Sequence, residues 1–187
     1  MSQKKNIIFF KEPVFKVARE IFNKPSKVFH IRMLEKLTKL STTSITSAVN
    51  ELKYYEIVTI EKTPITSNIK ANIESEEYKY YKMVFNLYQL IKSKFIFVLK
   101  FTYRPELVVI FGSYAKGEDF EGSDVDILII SSKTTKVSGI GKEQEELEKE
   151  IERNINLHII SSLDKSSPEF KNSIANGIIL HGYAKVV

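Results

Sequence analysis

The sequence predicts an α+β chain built in two parts. Three observations lead there. Hydrophobic spacing changes character near residue 105, net charge reverses at the same place, and an Asp-Val-Asp triplet heads an apolar run at Asp124-Val125-Asp126. Upstream, apolar residues recur at helical spacing and a short hairpin pattern follows. Downstream, brief apolar runs alternate with amphipathic stretches, the signature of strands interleaved with helices.

The upstream elements follow in order. Residues 11–23 place Val14, Val17, Ala18 and Ile21 on one stripe, and Lys24-Pro25-Ser26 stops that helix. A second helix spans about residues 31–40, with Ile31, Leu34, Leu37 and Met33 turned inward. Ser41-Thr42-Thr43 is a polar break that supplies an N-cap. The third helix reaches Tyr54, burying Ile45, Ala48, Val49 and Leu52 and exposing Thr43, Ser44, Thr46, Ser47, Asn50 and Lys53. Residues 57–61 and 69–73 read as strands flanking a turn at residues 63–68. Ser75 then caps a long helix, with Glu76 and Glu77 near its positive end. That helix carries Tyr81, Val84, Phe85, Tyr88 and Ile91 as a packing stripe to about Leu99.

Beyond Pro105 the period shortens. Residues 107–111 form a buried strand and residues 124–130 a second. Residues 143–154 form a charged helix, and residues 154–160 a third strand. Ser167-Pro168-Glu169 opens a helix that Gly177 ends, and residues 178–180 close the pattern as a final strand. Residues 131–141, rich in Ser, Thr, Lys and Gly, are expected to form a mobile loop.

Two helices joined by a tight turn, the second small and polar outside, followed at once by a hairpin, resemble a winged helix-turn-helix. The junction Leu52-Lys53-Tyr54-Tyr55-Glu56-Ile57-Val58 carries that resemblance, although the family often has glycine where Glu56 stands. The resemblance implies DNA binding through Thr43, Ser44, Ser47, Asn50 and Lys53, with Lys62 and Lys70 of the wing on flanking backbone. Charge agrees with this. Residues 1–104 hold 19 Lys and Arg against 9 Asp and Glu, a net of +10; the remainder holds 9 against 14, a net of −5. A basic half suits a polyanion, and solvating lysines or a protein-interaction module are the plainer alternatives.

The chemistry concentrates at the next motif. Gly112-Ser113 follows a buried strand directly, where glycine admits close ligand approach and a hydroxyl can donate to a phosphate. Asp124 and Asp126 alternate on the next strand, so both face one side, roughly 6–7 Å apart. Paired carboxylates suit a hard divalent cation.

In full, Val109-Ile110-Phe111-Gly112-Ser113-Tyr114-Ala115-Lys116-Gly117, then Gly122-Ser123-Asp124-Val125-Asp126-Ile127-Leu128-Ile129, resembles the polymerase-β-like nucleotidyltransferases, most of all the minimal prokaryotic and archaeal ones. The likeness covers about residues 101–187. It implies a nucleotidyltransferase α/β fold with a small mixed sheet. It further implies an NTP held by Gly112 and Ser113, with Lys116 as a further phosphate contact, and Mg²⁺ or Mn²⁺ bound by catalytic Asp124 and Asp126. A third carboxylate usual on a later strand aligns with Asn156, which can ligate through its carbonyl but cannot act as a base. His158 follows on the same face. The acids Glu118, Asp119 and Glu121 read as a solvated loop.

The expected organisation is residues 1–75 as a DNA-binding module, 76–100 as a linker or dimerisation helix, and 101–187 as the nucleotidyltransferase domain. Three functions stay open: transfer of a nucleoside monophosphate to an unknown acceptor, a nucleotide-sensing regulator with impaired catalysis, and an antitoxin paired with a toxin. A homodimer through the long helix is a further expectation. The chain has no cysteine, which excludes disulfides and thiol chemistry. No apolar run spans a bilayer and residues 1–6 lack a signal-peptide core, so no membrane association and a cytoplasmic setting are expected.

Overall fold

A computed structural model describes residues 11–63, 66–132 and 141–184. Two sequence expectations fall largely elsewhere: Pro64 and Ile65 at the wing tip, and most of the 131–141 loop, lie outside the described residues. The chain divides into two compact units, residues 1–81 and 82–187. The division falls within the segment read as a linker.

In the first unit, α1 (Glu12–Asn23), α2 (Ile31–Thr38) and α3 (Thr42–Tyr54) precede β1 (Val58–Lys62) and β2 (Ser67–Ala71). The two strands pair antiparallel from Val58↔Ala71 to Lys62↔Ser67. Val14, Val17, Ala18, Ile21, Ile45, Ala48, Val49 and Leu52 all reach the core, as their spacing requires. The Ser41 hydroxyl accepts from the Ser44 N–H and caps α3. One position departs from the pattern: Leu37 is exposed, and Thr38 takes the buried slot. Threonine tolerates burial there because its hydroxyl donates to the Leu34 carbonyl at 2.7 Å. Glu56 adopts φ +58°, the left-handed conformation glycine would supply at this junction. Glu56→Gly is expected to leave stability within about 1 kcal/mol, as relief of backbone strain offsets lost chain stiffness; urea unfolding checks it.

The long helix predicted to run to Leu99 is two helices, α4 (Glu76–Lys92) and α5 (Phe95–Tyr103). Ser93 marks the break. Its hydroxyl donates to the Leu90 carbonyl and accepts from the Phe95 N–H, while Lys94 turns to φ +61°. The predicted packing stripe is also corrected. Phe85 is buried as expected and Tyr81 half-buried, but Val84, Tyr88 and Ile91 are exposed, and Lys82, Asn86 and Gln89 share the buried face with Phe85 and Leu90. Helical periodicity alone cannot choose between a charged stripe and an aromatic one when the charged one has buried partners.

The second unit holds a four-stranded mixed sheet in the order β5-β4-β3-β6. Its strands are β3 (Leu107–Phe111), β4 (Val125–Ile130), β5 (Ile155–Ile160) and β6 (Ile178–Gly182). β3 pairs antiparallel with β4 and β6, and β4 pairs parallel with β5. Between them run α6 (Gly112–Lys116), α7 (Gly141–Ile151) and α8 (Pro168–Ala175). Each sheet face has its own core. Val108, Ile110, Val125, Ile127, Ile129 and Ile155 pack with Phe95, Leu99, Leu147 and Ile151 on one side. Leu107, Val109, Phe111 and Leu128 pack with Ile174 and Phe170 on the other.

Gly182 sits at φ +76° beside β3, where a methyl group would lie 1.9 Å from the Glu106 carbonyl oxygen. Gly182→Ala is expected to cost about 2–4 kcal/mol, from left-handed strain plus forced separation of the strands. Chemical denaturation of the variant measures this directly.

Candidate nucleotide and metal site

The site lies where β3 ends and β4 begins. Antiparallel register sets Phe111 opposite Asp126, Val109 opposite Leu128 and Leu107 opposite Ile130. Alternation then places Asp126 on the face that carries Phe111, at the edge of the apolar core beneath α8, and Asp124 stands just before the strand begins at Val125. Parallel register brings Asn156 beside Asp126 and His158 beside Leu128, on that same face. Four polar side chains, from the entry to β4 and from β5, thus gather beside Gly112.

Their contacts divide into two sets. Asp126 faces inward: its Oδ1 lies 3.1 Å from His158 Nε2, and its Oδ2 lies 3.1 Å from the point a Gly112 Cβ would occupy. Asp124 turns toward β5: its Oδ2 accepts from Asn156 Nδ2 at 3.0 Å and its Oδ1 from Asn154 Nδ2 at 3.3 Å. Gly112 adopts φ +76°, which an L side chain takes only under strain, and the chain turns there from β3 into α6. Ser113 follows, half-buried. Lys116 is exposed and makes no ion pair among the described residues.

Sequence reasoning misplaced one acid of the spacer loop. Asp119 is not solvated; it is 2% exposed. Its Oδ1 accepts from Asn86 Nδ2 at 2.8 Å and stands 3.2 Å from Lys82 Nζ. Its Oδ2 accepts from Arg153 Nη2 at 3.2 Å and Nε at 3.3 Å. Lys82 Nζ also donates to the Asp119 carbonyl, and Asn86 Nδ2 to the Tyr114 carbonyl at 2.9 Å. This cluster ties α4, α6, the spacer loop and the segment entering β5 together around one carboxylate. The only signal available beforehand was one acid set among others in a short loop, which ordinarily means a solvated turn.

Two ionisation shifts follow from this burial. Desolvation holds the Lys82 ammonium below the ordinary lysine range, with Asp119 opposing that shift. Burial pushes the Tyr114 phenol above the ordinary tyrosine range, and the Asp119 charge adds to it. An unfolded tyrosine ionises near pH 10 while folded Tyr114 stays protonated, so its share of stability is lost as pH rises above about 10. Tyr114→Phe is therefore expected to flatten the alkaline fall in stability, measured by urea unfolding at pH 9 and pH 11.

In the first unit, Thr43, Ser47, Asn50 and Lys53 are exposed along α3. Ser44 is half-buried and engaged with Ser41, its Oγ 2.9 Å from the Ser41 hydroxyl. An open groove of about 1060 Å³ is lined from α3 by Thr42 and Thr46, not by these residues, and from elsewhere by His30, Arg32, Glu35, Lys36 and Ser67.

Residues 92–181 match the family model described as the nucleotidyltransferase domain, a span that takes in β3, β4, β5 and most of β6, together with Gly112, Ser113, Lys116, Asp124, Asp126, Asn154, Asn156 and His158. Among curated proteins none matches the chain. Two solved structures are similar. One is the toxin–antitoxin MntA–HepT, at 21% identity over 51% of this chain and 73% of that one, with a TM-score of 0.34. The other is a toxin–antitoxin with AMP-PNP, at 22% identity over 49% and 73%, with a TM-score of 0.36.

Proposed function

We propose that this chain transfers a nucleoside monophosphate from an NTP to an acceptor, with the reaction centred on Gly112, Ser113, Asp124 and Asp126. The observation that carries the reading is the seating of Asp126 against the Gly112 backbone. The glycine leaves room for a phosphate, and a carboxylate there would repel the phosphate unless a cation stood between them. Asp126 beside an anion cradle therefore argues for a divalent ion shared with the nucleotide.

The residues present fit such an ion. Two carboxylates with substrate phosphates and water form a donor set that Mg²⁺ commonly takes, and Mn²⁺ accepts oxygen ligands too. Among the described residues no group of three or more His, Cys, Asp or Glu side chains is arranged to hold a metal unaided. Metal and NTP are therefore expected to bind synergistically, each several-fold tighter in the presence of the other, which calorimetry can measure. When bound, the ion would neutralise charge on the transferring phosphoryl group. Asp124 and Asp126 would hold it, Gly112 and Ser113 would position the phosphates, and Lys116 is free to swing toward their outer oxygens. Asn156 and Asn154 orient Asp124 by donating to both of its oxygens. Asn156 cannot take the acceptor's proton, so the acceptor must arrive already acidic or lose its proton elsewhere.

The test incubates the full chain with labelled NTPs, Mg²⁺ and protein or RNA acceptors. Transfer that disappears in Asp124→Asn supports the reading; absence of transfer with every NTP and acceptor, alongside nucleotide-dependent DNA binding, favours a sensing regulator instead.

The same proposal assigns the first unit to DNA. Three helices followed by a hairpin, net positive charge and an exposed polar row of Thr43, Ser47, Asn50 and Lys53 support a winged helix-turn-helix docking α3 in the major groove. Lys53→Ala is expected to weaken binding uniformly across sequences and reduce its salt dependence by about one counterion; gel shifts at several salt concentrations check this. A homodimer or a toxin partner would meet the exposed Val84, Tyr88 and Ile91. Light scattering of the purified chain, alone and co-expressed with a neighbouring gene product, separates the two.

A further inference from the structure

His158 is the only ionisable side chain of β5, and it stands where this chain departs from the nucleotidyltransferase pattern. Its neighbour Asn156 occupies the position of the third carboxylate and brings no charge. Asn156 is also committed, its amide nitrogen donating to Asp124. His158, two residues on and on the same face, points at the other aspartate instead.

The spacing of that contact is informative. His158 Nε2 and Asp126 Oδ1 are 3.1 Å apart. Two donors at right angles on one octahedral ion, each about 2.1–2.2 Å from it, lie about 3.0–3.1 Å from each other. That contact is a hydrogen bond between ring and carboxylate, and its length is also the separation that adjacent ligands on one ion would have. The ring is also held in place. Phe111 and His158 centroids lie 5.2 Å apart, His158 and Phe170 5.8 Å, and Phe111 meets Phe170 edge-on at 5.5 Å. Two mutually packed rings restrict the imidazole from one side, while its side chain stays 38% exposed and open to an arriving ion.

We infer that His158 is a protein ligand to the divalent ion of this site, supplying a nitrogen beside the Asp126 oxygen where related sites supply a third oxygen. The inference rests on the reading of Asp124 and Asp126 as metal ligands and adds a specificity to it. Imidazole nitrogen favours borderline ions such as Co²⁺ over Mg²⁺, which prefers oxygen and water. The site therefore selects transition metals more strongly than an all-carboxylate site does, with the nucleotide's phosphate oxygens filling further positions.

The test titrates Co²⁺ into the full, untagged chain with a non-hydrolysable ATP analogue and records proton NMR. Ligation through Nε2 gives a strongly shifted, exchangeable imidazole N–H signal, lost in D₂O and lost in His158→Gln. Competition with Mg²⁺ gives the second readout. Co²⁺ preference is expected to fall by about tenfold or more in His158→Gln, on the scale of losing one imidazole ligand. His158→Asp should still bind metal, without the shifted signal and with preference returned toward Mg²⁺, so the inference does not hang on one variant's folding. A shifted signal and Co²⁺ preference that survive both His158 variants, while Asp126→Asn abolishes Co²⁺ binding, would overturn the inference and leave the proposed function standing. Metal binding unchanged in both Asp124→Asn and Asp126→Asn would remove the proposed function itself.

Discussion

Asp119→Ala is expected to destabilise the second unit by about 3–5 kcal/mol, the scale for stripping one partner from a buried ion cluster. Lys82 and Arg153 side chains are 1% and 2% exposed, so removing the carboxylate between them takes from two buried cations the anion they share. Such a loss is a large share of the roughly 5–15 kcal/mol that holds an ordinary domain together. The penalty belongs to the broken cluster and not to a large gain from forming it. The triple variant Lys82→Met, Asp119→Leu, Arg153→Met should therefore recover much of the stability.

The milder Asp119→Asn keeps the shape and adds a pH signature. Burial already lowers the Lys82 pKa, and Asp119 opposes that, so the variant lowers it further. Folded Lys82 then releases its proton below the value of an unfolded lysine, about 10.4. Between those two values the unfolded chain binds more protons, so stability must rise with pH. Thermal melts of Asp119→Asn are expected to climb as pH approaches 10, against a flatter profile for the parent chain. A flat profile in the variant would mean that Lys82 has found another anion.

Gly112→Ala is expected to reduce nucleotide transfer by at least about 100-fold while costing only about 1–2 kcal/mol of stability. The stability term is the left-handed backbone at φ +76°. The activity term comes from contact. The new methyl group would stand 3.1 Å from Asp126 Oδ2, tighter than packed atoms ordinarily sit, and would fill the space that the proposed function gives to a phosphate. Either the carboxylate turns away or the nucleotide is held too far off, and small displacements at a reacting centre are costly. Measuring kcat/KM together with melting temperature separates the two effects. Full activity in a folded Gly112→Ala would place the chemistry elsewhere on the molecule.

Most secondary structure was legible in the chain itself. Residues 107–111 bound a strand to the residue, and Ser41, Ser75 and Ser167 cap helices where their hydroxyls announce them. The reason is local: apolar period and capping chemistry act within a few residues, and neither needs the rest of the fold. The motif was legible for a related reason. Asp124 and Asp126 stand two residues apart where a strand begins, whatever lies across the sheet.

What only tertiary structure decided is which of those groups meet. Nothing local told that Asp126 would meet His158 while Asp124 turned to Asn156; the parallel register sets Asp126 beside Asn156, and each aspartate then reaches diagonally along β5. Nor could composition separate Asp119, sealed between Lys82 and Arg153, from its neighbours Glu118 and Glu121, which are exposed. The outward turn of Val84, Tyr88 and Ile91 has the same origin. A helix buries the face whose partners are waiting, and a charged face can win when an anion over 30 residues away in sequence neutralises it. Sequence thus determined the elements and the presence of a chemical motif. Long-range pairing, set by register and burial, decided its internal contacts.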